Sequence, residues 1–143
     1  AVEIISDIEV RIECFWMGEA AGGGLGSVFL FDESITIAPE YLVLMSPWLD
    51  LSDKKKDRKY LKNKDILLAI DGVHWVGEHY SGDYEPNNPI LSPVFADIDN
   101  FPNTLIQVCS SELLYNDAIE FSDKLIKMLL SIGFTKTFHS LWG

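Results

Sequence analysis

Basic residues are scarce in this chain: 11 lysines and arginines stand against 22 aspartates and glutamates, a formal charge of −11. That balance argues against nucleic acid or an anionic membrane surface as a partner, since both are polyanions. Cysteine is nearly absent. Cys14 and Cys109 are the only two, each within an apolar run, so buried reduced thiols are expected, and a disulfide only if their strands lie close. No apolar run approaches the ~18 to 20 residues that span a bilayer. The N-terminus lacks a basic region followed by an apolar one, the mark of a secretory signal, and a cytoplasmic protein is expected. Histidine is limited to His74, His79 and His139. His74 and His79 are five positions apart, whereas two ligands on one helix face need a spacing of three or four. They read as structural or surface residues, and neither a metal nor a cofactor is expected. No internal repeat, low-complexity tract or internal boundary divides the sequence, so residues 1–143 read as one domain.

What the chain does hold is apolar. Hydrophobic residues make up 48% of its 143 positions, which suits a globular chain with a sizeable core. Residues 1–10 read as a helix tail and a turn. Residues 11–17 (R-I-E-C-F-W-M) predict a strand. Residues 41–46 (Y-L-V-L-M-S) run apolar without alternation, which predicts a strand buried on both faces, as in a parallel sheet. Pro47 stops it. Residues 50–64 hold the charge run K-K-K-D-R-K, a solvated loop. Residues 65–80 have helical spacing, with Ile66, Ile70, Val73, Val76 or Gly77, and Tyr80 on one face.

Residues 82–103 are rich in proline yet carry Ile90, Leu91, Val94 and Phe95, so they predict an ordered crossing segment. Residues 104–109 predict a third strand, and Ser110 or Ser111 can cap the helix that follows. That helix has the apolar stripe Leu114, Ala118, Phe121, Leu125, Met128 or Leu129, and Ile132. Gly133 ends it, with Lys124 and Lys127 in its last turns, where the helix dipole favours cations. Residues 134–141 alternate and predict a fourth strand. Strands alternating with helices imply βαβ units: an α/β fold, a three-layer α/β/α arrangement on a mostly parallel sheet of about four strands.

The rest is organised around Gly18-Glu19-Ala20-Ala21-Gly22. An apolar strand, a glycine-bracketed turn and then a helix form the layout of a nucleophile elbow, G-x-S-x-G. The turn forces its central residue into strained backbone angles, and bulky flanking residues would clash with the strand and helix. Here the central residue is Ala20, whose methyl group cannot attack a carbonyl. The helix from Ala21 to about Phe31 is predicted against its own propensity. It holds four glycines, each costing up to ~1 kcal/mol relative to alanine, with close helix–sheet approach as the compensation.

Five segments together resemble the C-terminal half of the hormone-sensitive-lipase-like esterases, a branch of the α/β-hydrolases. They are G-E-A-A-G-G at 18–23, L-M-S-P-W-L-D-L at 44–51, N-P-I-L-S-P-V-F-A-D at 88–97, P-N-T-L-I-Q-V at 102–108 and E-L-L-Y-N-D-A at 112–118. The resemblance implies carboxylic-ester hydrolysis by a Ser–His–Asp triad, with a serine that is acylated and then released by water. The family's elbow reads G-D-S-A-G-G; here Glu19 holds the aspartate position and Ala20 the serine position. The family's catalytic aspartate lies in a segment like G-S-D-E-x-L, where this chain has Ser111. The family's histidine follows a W-P-G-M-P-H-like stretch, which the resemblance places beyond Trp142-Gly143. Nothing in residues 1–17 matches the family's oxyanion motif H-G-G-G.

The backbone N–H of Ala21 could still donate to an oxyanion. Glu112, beside the acid position, could orient a histidine, but no nucleophile would use it. His139 lies on the predicted last strand, before the family's histidine position. Ser27, Ser46 and Ser92 have no elbow around them. The expectation is an esterase- or lipase-like chain that is inactive as it stands, a pseudoenzyme or a fragment. The alternative is a non-catalytic module that kept the fold for binding. A small ester-like ligand is the expected small-molecule partner. Self-association or pairing with another chain is expected through the edge strand at residues 11–17, with Arg11 and Met17 at its ends.

Overall fold

Among the described residues, three parallel five-residue strands form the sheet. They are β1 (Phe15–Glu19), β2 (Tyr41–Met45) and β3 (Asn103–Gln107), lying side by side in that order. The computed structural model describes residues 14–32, 38–52, 64–99 and 101–131. Helix α1 (Ala20–Phe29) links β1 to β2, and α2 (Ile70–Ser81) lies on the way to β3. Helix α3 (Tyr115–Ser131) follows β3. The predicted fourth strand, residues 1–13, the charge run and His139 lie outside the described residues.

The register is unbroken. Phe15, Tyr41 and Asn103 form one row, Met17, Val43 and Leu105 the next, and Glu19, Met45 and Gln107 the last. Because side chains alternate along a strand, these rows share one face. Leu42 and Leu44 point to the other, where they are buried with Leu49, Val94, Phe121 and Leu125. Trp16 and Ile106 pack on this core from the flanking strands. Strand β2 was expected to be buried on both faces. Its burial instead alternates, with Tyr41 exposed and Leu42 and Leu44 covered. The physical reason is that, among the described residues, α3 and the 3₁₀ turn Pro93–Phe95 pack on the Leu42 and Leu44 face.

The glycines of α1 divide into two kinds. A Cβ at Gly23 would lie 2.9 Å from Pro47 Cβ, and one at Gly24 would overlap the Trp48 carbonyl oxygen. These two let the helix close on the loop after β2. Gly22 and Gly26 have no neighbour within 4 Å of such a Cβ, and nothing in the structure explains them.

Helix α2 starts at Ile70 rather than at 65. The Asp65 carboxylate explains the delay: one oxygen accepts the N–H groups of Leu67 and Leu68, each at 2.8 Å, and closes a non-helical turn. The other accepts the Leu113 N–H at 2.8 Å. The buried stripe is therefore Val73, Gly77 and Ser81, with Ile70 beside it, while Ile66, Val76 and Tyr80 are exposed. Gly77 faces the Trp48 ring, 3.5 Å from where its Cβ would be.

Helix α3 buries Leu114, just before its start, with Ala118, Phe121 and Leu125, as its periodicity predicts. Ser110 and Ser111 do not cap it, because turns carry the chain to Tyr115 first. Lys124 is not in a last turn. It reaches across to donate to the Ala96 carbonyl at 2.9 Å. The segment 82–99 is ordered around Ser92, which accepts the Leu51 N–H at 2.7 Å and donates to the Pro86 carbonyl at 2.6 Å.

Two stability outcomes follow. Gly26→Ala should raise stability by about 0.5–1 kcal/mol through helix propensity. Gly24→Ala should lower it by about 1–3 kcal/mol by forcing the helix off the Trp48 loop. Urea unfolding of both variants checks the opposite signs. Burial would raise the Asp65 pKa, but the N–H donors of Leu113, Leu68 and Leu67 outweigh it and hold the carboxyl below its ordinary 3.8. A depressed folded-state pKa contributes stability above the unfolded value that is lost as pH falls through the folded one. Asp65→Ala should therefore cost about 1 kcal/mol at pH 6, with the gap to the unsubstituted chain narrowing once the pH falls below 3.8.

Candidate active site

The carboxyl ends of parallel strands are where open α/β sheets gather their ligands. At that end of β1 the chain passes from strand to helix within one residue. Ala20 takes the turn with φ at 47°, a left-handed conformation that costs a non-glycine residue about 1–2 kcal/mol. This is the strain expected of an elbow's central residue. Gly18 permits it: a Cβ there would lie 2.6 Å from the Gly22 carbonyl oxygen and 2.7 Å from Gly23 Cα. Gly22, the second bracket of the motif, contributes no such clearance; Gly23 takes its role against Pro47. The Trp48 N–H donates to the Ala20 carbonyl at 2.9 Å and fixes the turn from the neighbouring strand end.

That neighbouring end is itself strained. Ser46 has φ at 44°, and its N–H donates to the Gln107 carbonyl at 2.7 Å. Two left-handed non-glycine residues thus stand at the ends of adjacent strands. Glu19 is exposed and makes no side-chain cap on α1. Ala21 is exposed too, and its N–H is one of the first-turn donors that an α-helix leaves unpaired within itself.

The resemblance assigns the acid position to Ser111. Ser111 is half-buried, with its hydroxyl 3.1 Å from the Cys109 sulfur. Glu112 turns inward on its own loop, where its Oε1 accepts the Cys109 N–H at 3.0 Å. The remaining serines have structural work. Ser27 is buried and donates to the Gly23 carbonyl at 2.8 Å within α1, and Ser92 sits in the loop described above. His74 and His79 are both exposed on α2. The His79 ring lies 4.0 Å from the Trp75 ring at a tilt of 31°, and its Nδ1 lies 2.7 Å from the Trp75 carbonyl.

Cys109 was expected to be a buried thiol. It is exposed, because β3 ends at Gln107 and the cysteine falls in the turn beyond it. Cys14 is half-buried, and both are free. Sequence reading missed this thiol at the carboxyl edge; the only signal was a strand boundary two residues off. The hydrogen bond with the Ser111 hydroxyl, helped by the Ser111 backbone amide, pulls the thiol below its usual range against the opposing Glu112 charge. A lowered thiol pKa means more thiolate at a given pH. Cys109 should alkylate faster than Cys14 with iodoacetamide, and Ser111→Ala should move the midpoint of its rate–pH profile upward. Peptide mass mapping of the modified sites checks both.

Similarity to known proteins is extensive over this chain. A family model described as the α/β-hydrolase fold matches residues 7–135. An esterase from Acinetobacter venetianus is 35% identical over 108 residues, which cover 75% of this chain and 35% of that protein. An acetyl-hydrolase from Streptomyces hygroscopicus is 32% identical over 112 residues, covering 77% of this chain and 38% of its own. Among solved structures, a hormone-sensitive lipase from a metagenome library superposes with a TM-score of 0.72 at 31% identity, covering 80% of this chain and 40% of that one. The chain therefore spans little more than a third of the length of these curated relatives. No helix among the described residues is long and apolar enough to cross a membrane. The parallel strands and their connecting helices agree with these likenesses, and the chain belongs to the α/β-hydrolase fold family and is similar to its hormone-sensitive-lipase-like esterases.

Proposed function

We propose that this esterase-type chain is catalytically silent as it stands, an α/β-hydrolase domain that keeps the elbow and has lost its nucleophile. The observation that carries this reading is Ala20 itself. It holds the left-handed position of an elbow's central residue with only a methyl group to present. The acid position supports the same reading, since Ser111 is spent on the Cys109 sulfur and Glu112 on the Cys109 backbone. The Ala21 N–H remains at the helix start as a donor for an oxyanion. Removing triad members leaves only the residual rate that binding and oxyanion stabilisation supply, ~10³–10⁴-fold over water in well-formed sites. With neither nucleophile nor acid, this chain falls below that.

A second reading, a non-catalytic interaction module, is favoured by the exposed apolar side chains on β1, where Phe15 and Met17 stand at the sheet edge. Such an edge offers unpaired backbone groups to a second strand. A module shaped for binding melts in one cooperative step, and a domain lacking part of its core does not. A small ester-like molecule at the carboxyl edge remains the ligand class of the first reading.

The decisive experiment restores the missing atom. Ala20→Ser should leave hydrolysis of p-nitrophenyl butyrate at the uncatalysed rate, measured by nitrophenolate release. A clear gain in turnover would overturn the reading, because it would mean that an acid and a base are in place for the serine.

A further inference from the structure

The turn that follows β3 is held at both ends. At one end β3 stops at Gln107. At the other the Leu113 N–H donates to Asp65, 48 positions earlier in the chain, at 2.8 Å. Residues 108–112 lie between these anchors. Within that span the Glu112 N–H donates to the Cys109 carbonyl at 3.1 Å, and the Cys109 N–H donates to Glu112 Oε1 at 3.0 Å. The turn closed in this way sets the Ser111 hydroxyl 3.1 Å from the Cys109 sulfur.

Asp65 is suited to the reach. Its Oδ1 accepts the N–H groups of Leu67 and Leu68, which fixes the carboxylate on the segment leading into α2. Its Oδ2 is thereby aimed at Leu113. An amide side chain could not replace it, because it offers one acceptor oxygen and presents an NH2 group where the second oxygen stood. Leu113 is itself fully buried, in a cluster with Val73 and Ile70 of α2 and with Trp48. Apolar burial is not directional. It keeps the Leu113 side chain in place, while the bond to Asp65 fixes the angle at which the backbone arrives.

We propose that Asp65 is a positioning residue for the carboxyl edge of the sheet. From the segment before α2 it fixes the turn after β3, and through that turn it sets the contact between Cys109 and Ser111. The role concerns the geometry of the turn and holds whether or not the elbow is silent.

The two thiols separate positioning from general stability. Asp65→Asn preserves the size of the side chain and removes one acceptor oxygen, and its circular dichroism spectrum should be unchanged. With the turn released, the Cys109 sulfur loses the Ser111 hydroxyl, which favours the thiolate. Among the described residues Glu112 is the charged group acting on this thiol, and it disfavours the thiolate in either variant. The midpoint of the Cys109 rate–pH profile with iodoacetamide should therefore move upward, and alkylation at neutral pH should slow severalfold, with Cys14 unaltered. Asp65→Asn combined with Ser111→Ala should shift the midpoint no further than Ser111→Ala alone, since both changes remove one contact. An unmoved midpoint, or shifts that add in the double variant, would overturn the proposal. So would a lowered midpoint, which would mean that the Asp65 charge acts on the thiol through its field. Faster alkylation of both cysteines would also sink it, because the substitution would then have loosened the whole chain. Hydrogen exchange gives a check without substitution. The Leu113 amide of the unsubstituted chain should exchange at least tenfold more slowly than an unstructured amide, and exchange at the unstructured rate would remove the anchor on which the proposal stands.

Discussion

One buried carboxylate ties the structure together. Asp117, on helix α3, is fully buried, and its Oδ2 accepts the backbone N–H groups of Leu49 and Asp50 at 3.1 and 3.0 Å. Each such hydrogen bond contributes about 1 kcal/mol net, and a buried carboxyl group left without partners would be costly. The link spans 67 and 68 positions of sequence. It pins the loop after β2, and that loop then reaches almost everything else. The Trp48 N–H holds Ala20, the Trp48 ring faces Gly77, the Leu49 carbonyl accepts from Val94, and the Leu51 N–H donates to Ser92.

The elbow depends on that loop in turn. A left-handed alanine persists only where its surroundings over-determine it. Gly18 supplies clearance below, Pro47 and Trp48 press Gly23 and Gly24 of the helix from the side, and the Trp48 amide holds the carbonyl. The strain is thus maintained by packing around the turn, independently of the chemistry at the central side chain. This separation is why the strained turn tolerates a methyl group at its centre.

Much of this was legible in the residues. The glycine cluster after an apolar run marked the elbow, because few backbones other than a strand–turn–helix corner need glycine at 18, 23 and 24. The stripe on α3 was readable because one helix face meets one core. Other features misled for physical reasons. Residues 65–69 carry helical periodicity, yet an aspartate bonding two amides ahead of it competes with the helix and wins. Cys109 follows an unbroken apolar run, and nothing local says that strand pairing ends at Gln107. The apolar run of β2 cannot show which of its faces is covered, since that is a property of the layers and not of the strand.

The sequence by itself determined the local elements: where glycine relieves a turn, where an apolar stripe repeats, and that positions 20 and 111 hold alanine and serine. These depend on short-range sterics and on side-chain identity, both of which are written residue by residue. Only the tertiary structure decided that Asp117 would reach a loop 67 residues away, that Cys109 would stand in solvent, and that Phe15, Met17, Tyr41 and Leu105 would share one face of the sheet. Those outcomes rest on register and layer packing, where distant segments meet, and no local pattern encodes the meeting.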